Sequence, residues 1–306
     1  MHPAPSIILF TTLSGCGYGL AVALGLGLLD PAAVATKVAH VLALSLIAGG
    51  LLSSTLHLGN PQRAWRALSQ WRTSWLSREG VLAILTFVPL TWTAALSIFA
   101  DAWSPGVGLT GAALSLVTVV CTAMIYASLR SVQGWNHRLT PVCYVLFAWA
   151  AGLTLAAAFR SAGAFPALPL GAVAALVAAW AAKWAWWKRL DGQVARSTPE
   201  TATGLGHIGQ VALFESPHVN DNYLTREMVY RVGRKHALKL RRLALTFGAA
   251  LPALLLLASA VVHPGGWAPT LLAGAAALTL FLGLLVERWL FFAEARHAVE
   301  TFYRPR

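Results

Sequence analysis

Two residues of this sequence are placed to do chemistry together, His57 and Glu79. They bracket the stretch TLHLGNPQRAWRALSQWRTSWLSREGV, residues 55–81. A neutral imidazole N–H can donate to a carbonyl oxygen, and a carboxylate at the water edge can pass protons. His57 closes one apolar run and Glu79 opens the next. Two helices that leave and re-enter a membrane at one face would bring the pair to similar depth. At the edge of an apolar cavity such a pair could hold a quinone head group and move its protons. Between them lie Arg63, Arg66, Arg72 and Arg78, interleaved with Trp65, Trp71 and Trp75. The same stretch also fits an ordinary cytoplasmic loop whose arginines set topology and whose tryptophans anchor it.

Local signals suggest how these residues are positioned. Asn60 and Pro61 are helix-start residues. Ala64, Leu68, Trp71 and Trp75 then recur at helical spacing, which predicts a short helix lying in the membrane interface. Ser77 is the expected cap of the following span, so Glu79 is expected in its first turn, near the positive helix end. Gly49, Gly50, Ser53 and Ser54 thin the preceding span just before His57. That leaves room for a flat ligand beside Gly50, or lets another helix pack closely. On the first reading, leucine at Gly50 blocks the ligand more than it disturbs assembly.

The chain that carries this stretch is built for a bilayer. Of its 306 residues 57% are hydrophobic and only 11% charged, with a mean hydropathy of +0.63; a soluble surface needs far more charge. Eight apolar runs, about 6–29, 38–56, 79–99, 109–129, 141–160, 167–187, 243–262 and 269–290, each approach the ~20 residues that cross a bilayer core. The expectation is an all-α, polytopic membrane protein of eight transmembrane helices, forming a single domain over residues 1–306. Two connections are long: the interfacial segment 57–78 and a basic loop, 188–242. The first run has no charged lead and is long enough to span, so it reads as a span and not as a cleaved signal.

Charge sets the orientation. Of the 23 Lys and Arg, all but Lys37 and Arg160 fall on one face of this arrangement. The positive-inside rule places that face, and with it both termini, in the cytoplasm. The same asymmetry accounts for the +12 net charge without nucleic acid. In the loop, the stretch from Thr225 onward reads as a basic amphipathic helix, either solvated or a platform for a cytoplasmic partner. Trp184, Trp186 and Trp187 beside Lys183, Lys188 and Arg189 read as an interfacial belt with snorkelling cations. Glu287, Glu294 and Glu300 can pair with Arg288, Arg296 and His297 at helical spacing.

Several chemistries are not expected. Cys16, Cys121 and Cys143 form no CxxC pair, and an iron–sulfur cluster takes four thiolates; they read as small packing residues. His40 and His263 could flank a transmembrane haem, but His263 sits in a loop-like HPGG, so no haem is expected in this chain. No metal site is expected. A transporter should show inverted repeats or acidic residues deep in the membrane, and neither is evident.

The segment LHLGNPQRAW followed by SWLSREG resembles the dimethyl sulfoxide reductase anchor-subunit family. HPAPSIILFTTLSGCGYGL, NYLTREMVYRVGRKHALKLRR and ERWLFFAEARH resemble the branch that serves cytoplasmic-facing sulfite dehydrogenase (quinone) complexes. The resemblance implies a membrane anchor in the bacterial inner membrane that exchanges electrons with ubiquinone or menaquinone. It implies a four-cluster iron–sulfur subunit and a molybdopterin catalytic subunit as partners on the cytoplasmic face, with the molybdenum site outside this chain. It assigns quinone binding to His57 and Glu79, supported by Arg63 in the P-x-R-A part of the motif. Because the HLG segment lies on the positive-rich face, sulfite oxidation is favoured. The alternatives are the anchor of a dimethyl sulfoxide or related reductase running from quinol, a purely structural anchor, or a transporter.

Overall fold

The structure, a computed structural model, describes residues 3–56, 60–161, 164–165, 167–212, 214–215, 236–262 and 266–302. His57, His263 and most of the basic segment expected to be helical from Thr225 lie outside the described residues. Among the described residues eight helices are long and apolar enough to cross a membrane. They are α1 (Pro5–Gly25), α2 (Val34–Thr55), α3 (Trp75–Ala100), α4 (Pro105–Ala127), α5 (Leu139–Ala158), α6 (Leu168–Asp191), α8 (Ala237–Val261) and α9 (Trp267–Ala293). A short α7 (Pro199–Thr203) lies in the loop after α6. Among the described residues there is no strand, only an isolated bridge between Val132 and His297. The chain is therefore an all-helical, multi-pass membrane protein.

α1 is the most buried span and packs against α2, α4, α5 and α9. Its glycines make that possible. A Cβ on Gly19 would collide with the Ala148 carbonyl, and one on Gly152 with the Gly19 backbone. Without a hydrophobic driving force between helices in lipid, such close backbone approach is a main source of association.

Cross-links between helix ends show how the spans alternate. At one end Ser53 donates to the Ser6 carbonyl at 2.9 Å, and Trp135 Nε1 donates to the Phe291 carbonyl at 2.8 Å. At the other end Lys37 pairs with Asp101 at 2.6 Å, and Ser97 donates to the Pro31 carbonyl at 2.7 Å. The first end gathers the starts of α1, α3, α5 and α8, the ends of α2, α4, α6 and α9, and, among the described residues, nearly all the Lys and Arg.

α8 starts six residues earlier than hydropathy suggests. Arg241 is held in the helix by Asp191 at 2.6 Å and Glu294 at 2.7 Å. The helix widens into a π turn at Thr246–Ala250. Pro252 has no N–H to offer the Gly248 carbonyl, and Trp180 Nε1 donates to that carbonyl instead, at 2.6 Å. The backbones of Gly248 and Gly283 touch at this point, which brings α8 onto α9.

Candidate functional site

The site is built on the start of α3. Ser74, not Ser77, is the N-cap, and its hydroxyl accepts from Ser77 N. Glu79 thus stands one residue beyond the first turn. Ser77 ties two elements together instead, because its hydroxyl donates to the Ala67 carbonyl. Ala67 belongs to a 3₁₀-helix, Pro61–Leu68, that occupies the expected interfacial segment. This helix is shorter and tighter than the spacing suggested and stops before Trp71. The chain turns through residues 69–73, because Arg78 donates to the carbonyls of Trp71 at 3.0 Å and Arg72 at 2.7 Å. Its guanidinium also lies 4.3 Å from the centroid of the Trp75 ring. These contacts fold the 3₁₀-helix over the start of α3. Leu68 reaches Gly80 so closely that a Cβ there would meet its Cδ2 at 2.7 Å.

Beneath this cover Glu79 is only 4% exposed. The Thr122 hydroxyl of α4 bonds its Oε1 and also lies 3.1 Å from the Thr118 carbonyl. One hydroxyl proton cannot serve both acceptors at once. With Glu79 ionised, Thr122 donates to it. With Glu79 protonated, the carboxyl donates to Thr122, whose own proton turns to Thr118. The contact is therefore satisfied in either protonation state, which suits a group that gains and loses a proton. Among the described residues no cation lies within ion-pair distance of Glu79.

The other expected site residues are placed differently. Arg63 is exposed on the 3₁₀-helix. Gly50 faces α1, where a Cβ would meet Ser14 N at 2.8 Å and the Phe10 carbonyl at 3.1 Å. The thin face of α2 is thus filled by α1, and the expected effect of leucine here is corrected: Gly50→Leu should separate α1 from α2. Overpacking of this kind costs about 1–3 kcal/mol. A reduced yield of folded protein in membranes, measured by immunoblot of the solubilised fraction, is the expected outcome.

The interfacial-belt reading of α6 also needs correction. Trp184 is exposed, but Trp186 and Trp187 are buried and Lys183 is 1% exposed. Lys183 pairs with Glu287 of α9 at 2.6 Å, and Arg288 Nε pairs with the other Glu287 oxygen at 2.6 Å. Lys183 Nζ lies 3.9 Å from the Trp186 ring centroid, and the Arg288 guanidinium 4.1 Å from that of Tyr144. The acidic residues at the end of α9 pair across helices: Glu287 with α6, and Glu294, just past the last turn, with Arg241 of α8 and the Trp187 indole N–H at 3.1 Å. The sequence did carry a sign of this cluster, in charges set within apolar runs as AAKWAWW and LLVERWLFF, a pattern uncommon in membrane spans.

In the loop between α4 and α5, at the cation-rich end, burial holds the His137 imidazole below its ordinary range, and Arg189, Arg138 and Arg196 add to this.

Eight apolar helices among the described residues, a buried carboxylate at the cation-rich end and a 3₁₀-helix folded over the start of α3 describe a membrane protein with a candidate site at one end. The chain belongs to the DMSO reductase anchor subunit (DmsC) family, whose profile matches residues 1–293. Over 330 aligned residues it is 34% identical to the C subunit of a sulfite dehydrogenase from Allochromatium vinosum, with 99% of each chain covered. No solved structure matches it.

Proposed function

We propose that this chain is the quinone-reactive anchor of a molybdopterin and iron–sulfur oxidoreductase, passing electrons between an iron–sulfur subunit and the quinone pool during oxidation of sulfite to sulfate. The observation that carries the reading is Glu79. It is a buried carboxyl close to one membrane face, roofed by a short helix and bonded to a hydroxyl that tolerates both of its protonation states. The whole-length likeness to a sulfite dehydrogenase protein supports the choice of substrate. The excess of cations at this end supports a cytoplasmic setting in the bacterial inner membrane, with the partners docked there.

Quinone chemistry couples two electrons to two protons. In this reading His57, which follows α2 in the sequence, donates to a quinone oxygen. Arg63 lends positive charge at the water edge. Glu79 holds and releases the proton, and the 3₁₀-helix limits water access from above. The molybdenum centre and the clusters belong to the partners.

The test begins with the complex purified through this chain, measuring iron, molybdenum, subunit masses and sulfite-dependent quinone reduction. His57→Ala is expected to weaken quinone binding about tenfold, the worth of one good hydrogen bond in a buried site, while the partners stay attached. Unchanged quinone affinity in the assembled variant would place the site elsewhere. A complex lacking molybdenum and iron would sink the reading altogether.

A further inference from the structure

A cavity lies inside the bundle between α1, α4, α5 and α9, lined among others by Thr12, Cys16, Tyr18, Thr122, Tyr144 and Arg288. Thr122 is shared: its hydroxyl bonds Glu79, and its side chain forms part of the cavity wall. Arg288, a member of the Lys183–Glu287–Arg288 cluster, lines it as well. The cavity therefore touches two buried ionisable sites, Glu79 through Thr122 and the charged triad through Arg288.

Four polar groups on its wall have no hydrogen-bond partner among the described residues: Thr12 Oγ1, the Tyr18 and Tyr144 hydroxyls and Arg288 Nη1. All four residues are more than nine-tenths buried. Leaving such groups unsatisfied costs about 1–3 kcal/mol each, more where one is charged. Apolar cavities stay dry, whereas a polar one with several convergent donors holds water when there is room. The volume settles what can enter. About 30 Å³ is open to water centres. One water needs roughly 10–15 Å³ and a benzene-sized ring about 150 Å³, so the space suits about two waters and excludes a quinone ring.

We propose that this cavity holds ordered water that relays protons to and from Glu79 by way of Thr122. The inference rests on the proposed quinone role of Glu79. When Glu79 gives its proton to a quinone oxygen, its carboxyl O–H breaks. The Thr122 proton moves to the carboxylate, and a proton from the first water replaces it on Thr122. That water regains its proton from the next, and the deficit passes to bulk water at the cation-rich end. Quinol oxidation runs the same transfers in reverse, and the electrons come from or go to the iron–sulfur partner. Arg288 is not an acid here; its free N–H fixes a water oxygen. Tyr18 and Thr12 hold the remaining lone pairs and hydrogens in file. Arg288 adjoins Glu287, and Glu294, the residue that caps the end of α9, pairs with Arg241, which reaches Asp191 at the exposed rim.

The experiment uses the assembled complex carrying Thr12→Val together with Tyr18→Phe. Neither hydroxyl bonds the protein, so both changes should leave the fold intact. Turnover at saturating quinone should fall about tenfold, less than the ~10²–10⁴ for loss of a directly reacting acid or base. The quinone KM should hold, and the solvent deuterium isotope effect should grow. X-ray hydroxyl-radical footprinting gives a reading independent of activity: Cys16 and Tyr144 should be labelled in wild type despite their burial, and less so in the double variant. Unlabelled Cys16 and Tyr144 in wild type, normal turnover in the variant, or a raised KM would each overturn the relay. If Glu79→Gln is slow while the double variant is normal, the relay alone fails. If Glu79→Gln is also normal, the quinone role of Glu79 fails with it.

Discussion

Glu79→Gln is expected to slow sulfite-driven quinone reduction by about 10²–10⁴, the usual contribution of a positioned acid or base, while the complex still assembles. The amide has the size of the carboxyl and can exchange a hydrogen bond with Thr122. It keeps the α3–α4 contact and the cover formed by Leu68 and Ser77. What it loses is the transferable proton. The expected signature is thus a large loss in turnover at saturating quinone with a small change in quinone affinity, opposite to that of His57→Ala. Both quantities can be measured in membranes containing the assembled complex, by quinone titration and by initial rates. Wild-type turnover in this variant would remove Glu79 from proton transfer. Glu79→Asp keeps the chemistry but draws the carboxyl back from Thr122, so it should fall between Gln and wild type.

The spans were legible because a bilayer demands length and apolarity, and both can be counted along a chain. Where local polarity conflicts with burial, the count misled. Lys239, Arg241 and Arg242 postponed the expected start of the seventh span, yet Arg241 is helical because Asp191 and Glu294 meet its guanidinium. Helical spacing from Ala64 to Trp75 was real but described two elements: Trp75 opens α3, and Arg78 holds the turn between them by its bonds to backbone carbonyls. Such side-chain-to-backbone ties leave no periodic trace in a sequence. Glu79 could be singled out from its place at the edge of an apolar run. Its partner Thr122 could not, since a threonine within a span ordinarily bonds its own helix. Lys183 was misread for a related reason. A lysine among tryptophans near a span end is ordinarily interfacial, and only the distant Glu287 turns it inward.

That inward cluster is where the largest effect on stability is expected. Lys183, Glu287 and Arg288 together carry one net positive charge, with the single carboxylate between the two cations. Glu287→Leu removes the shared anion and leaves two buried cations facing each other without a partner. Breaking a buried pair in this way costs about 3–5 kcal/mol, a large share of the ~5–15 kcal/mol that holds a typical domain folded. Lys183→Met should behave very differently although it touches the same cluster. It leaves Glu287 and Arg288 as a neutral pair at 2.6 Å, and a thioether against Trp186 is a favourable neighbour. The expected outcome is severe loss of membrane-inserted protein for Glu287→Leu and near-normal levels for Lys183→Met. The yield of folded protein and the Tm of the solubilised complex should follow that order. Equal loss in both variants would mean that the cluster is held by packing rather than by the balance of its charges. If Glu287→Leu is tolerated, adding Lys183→Met to it should bring no rescue; if it is not, the double variant, with only Arg288 left charged, should recover part of the loss.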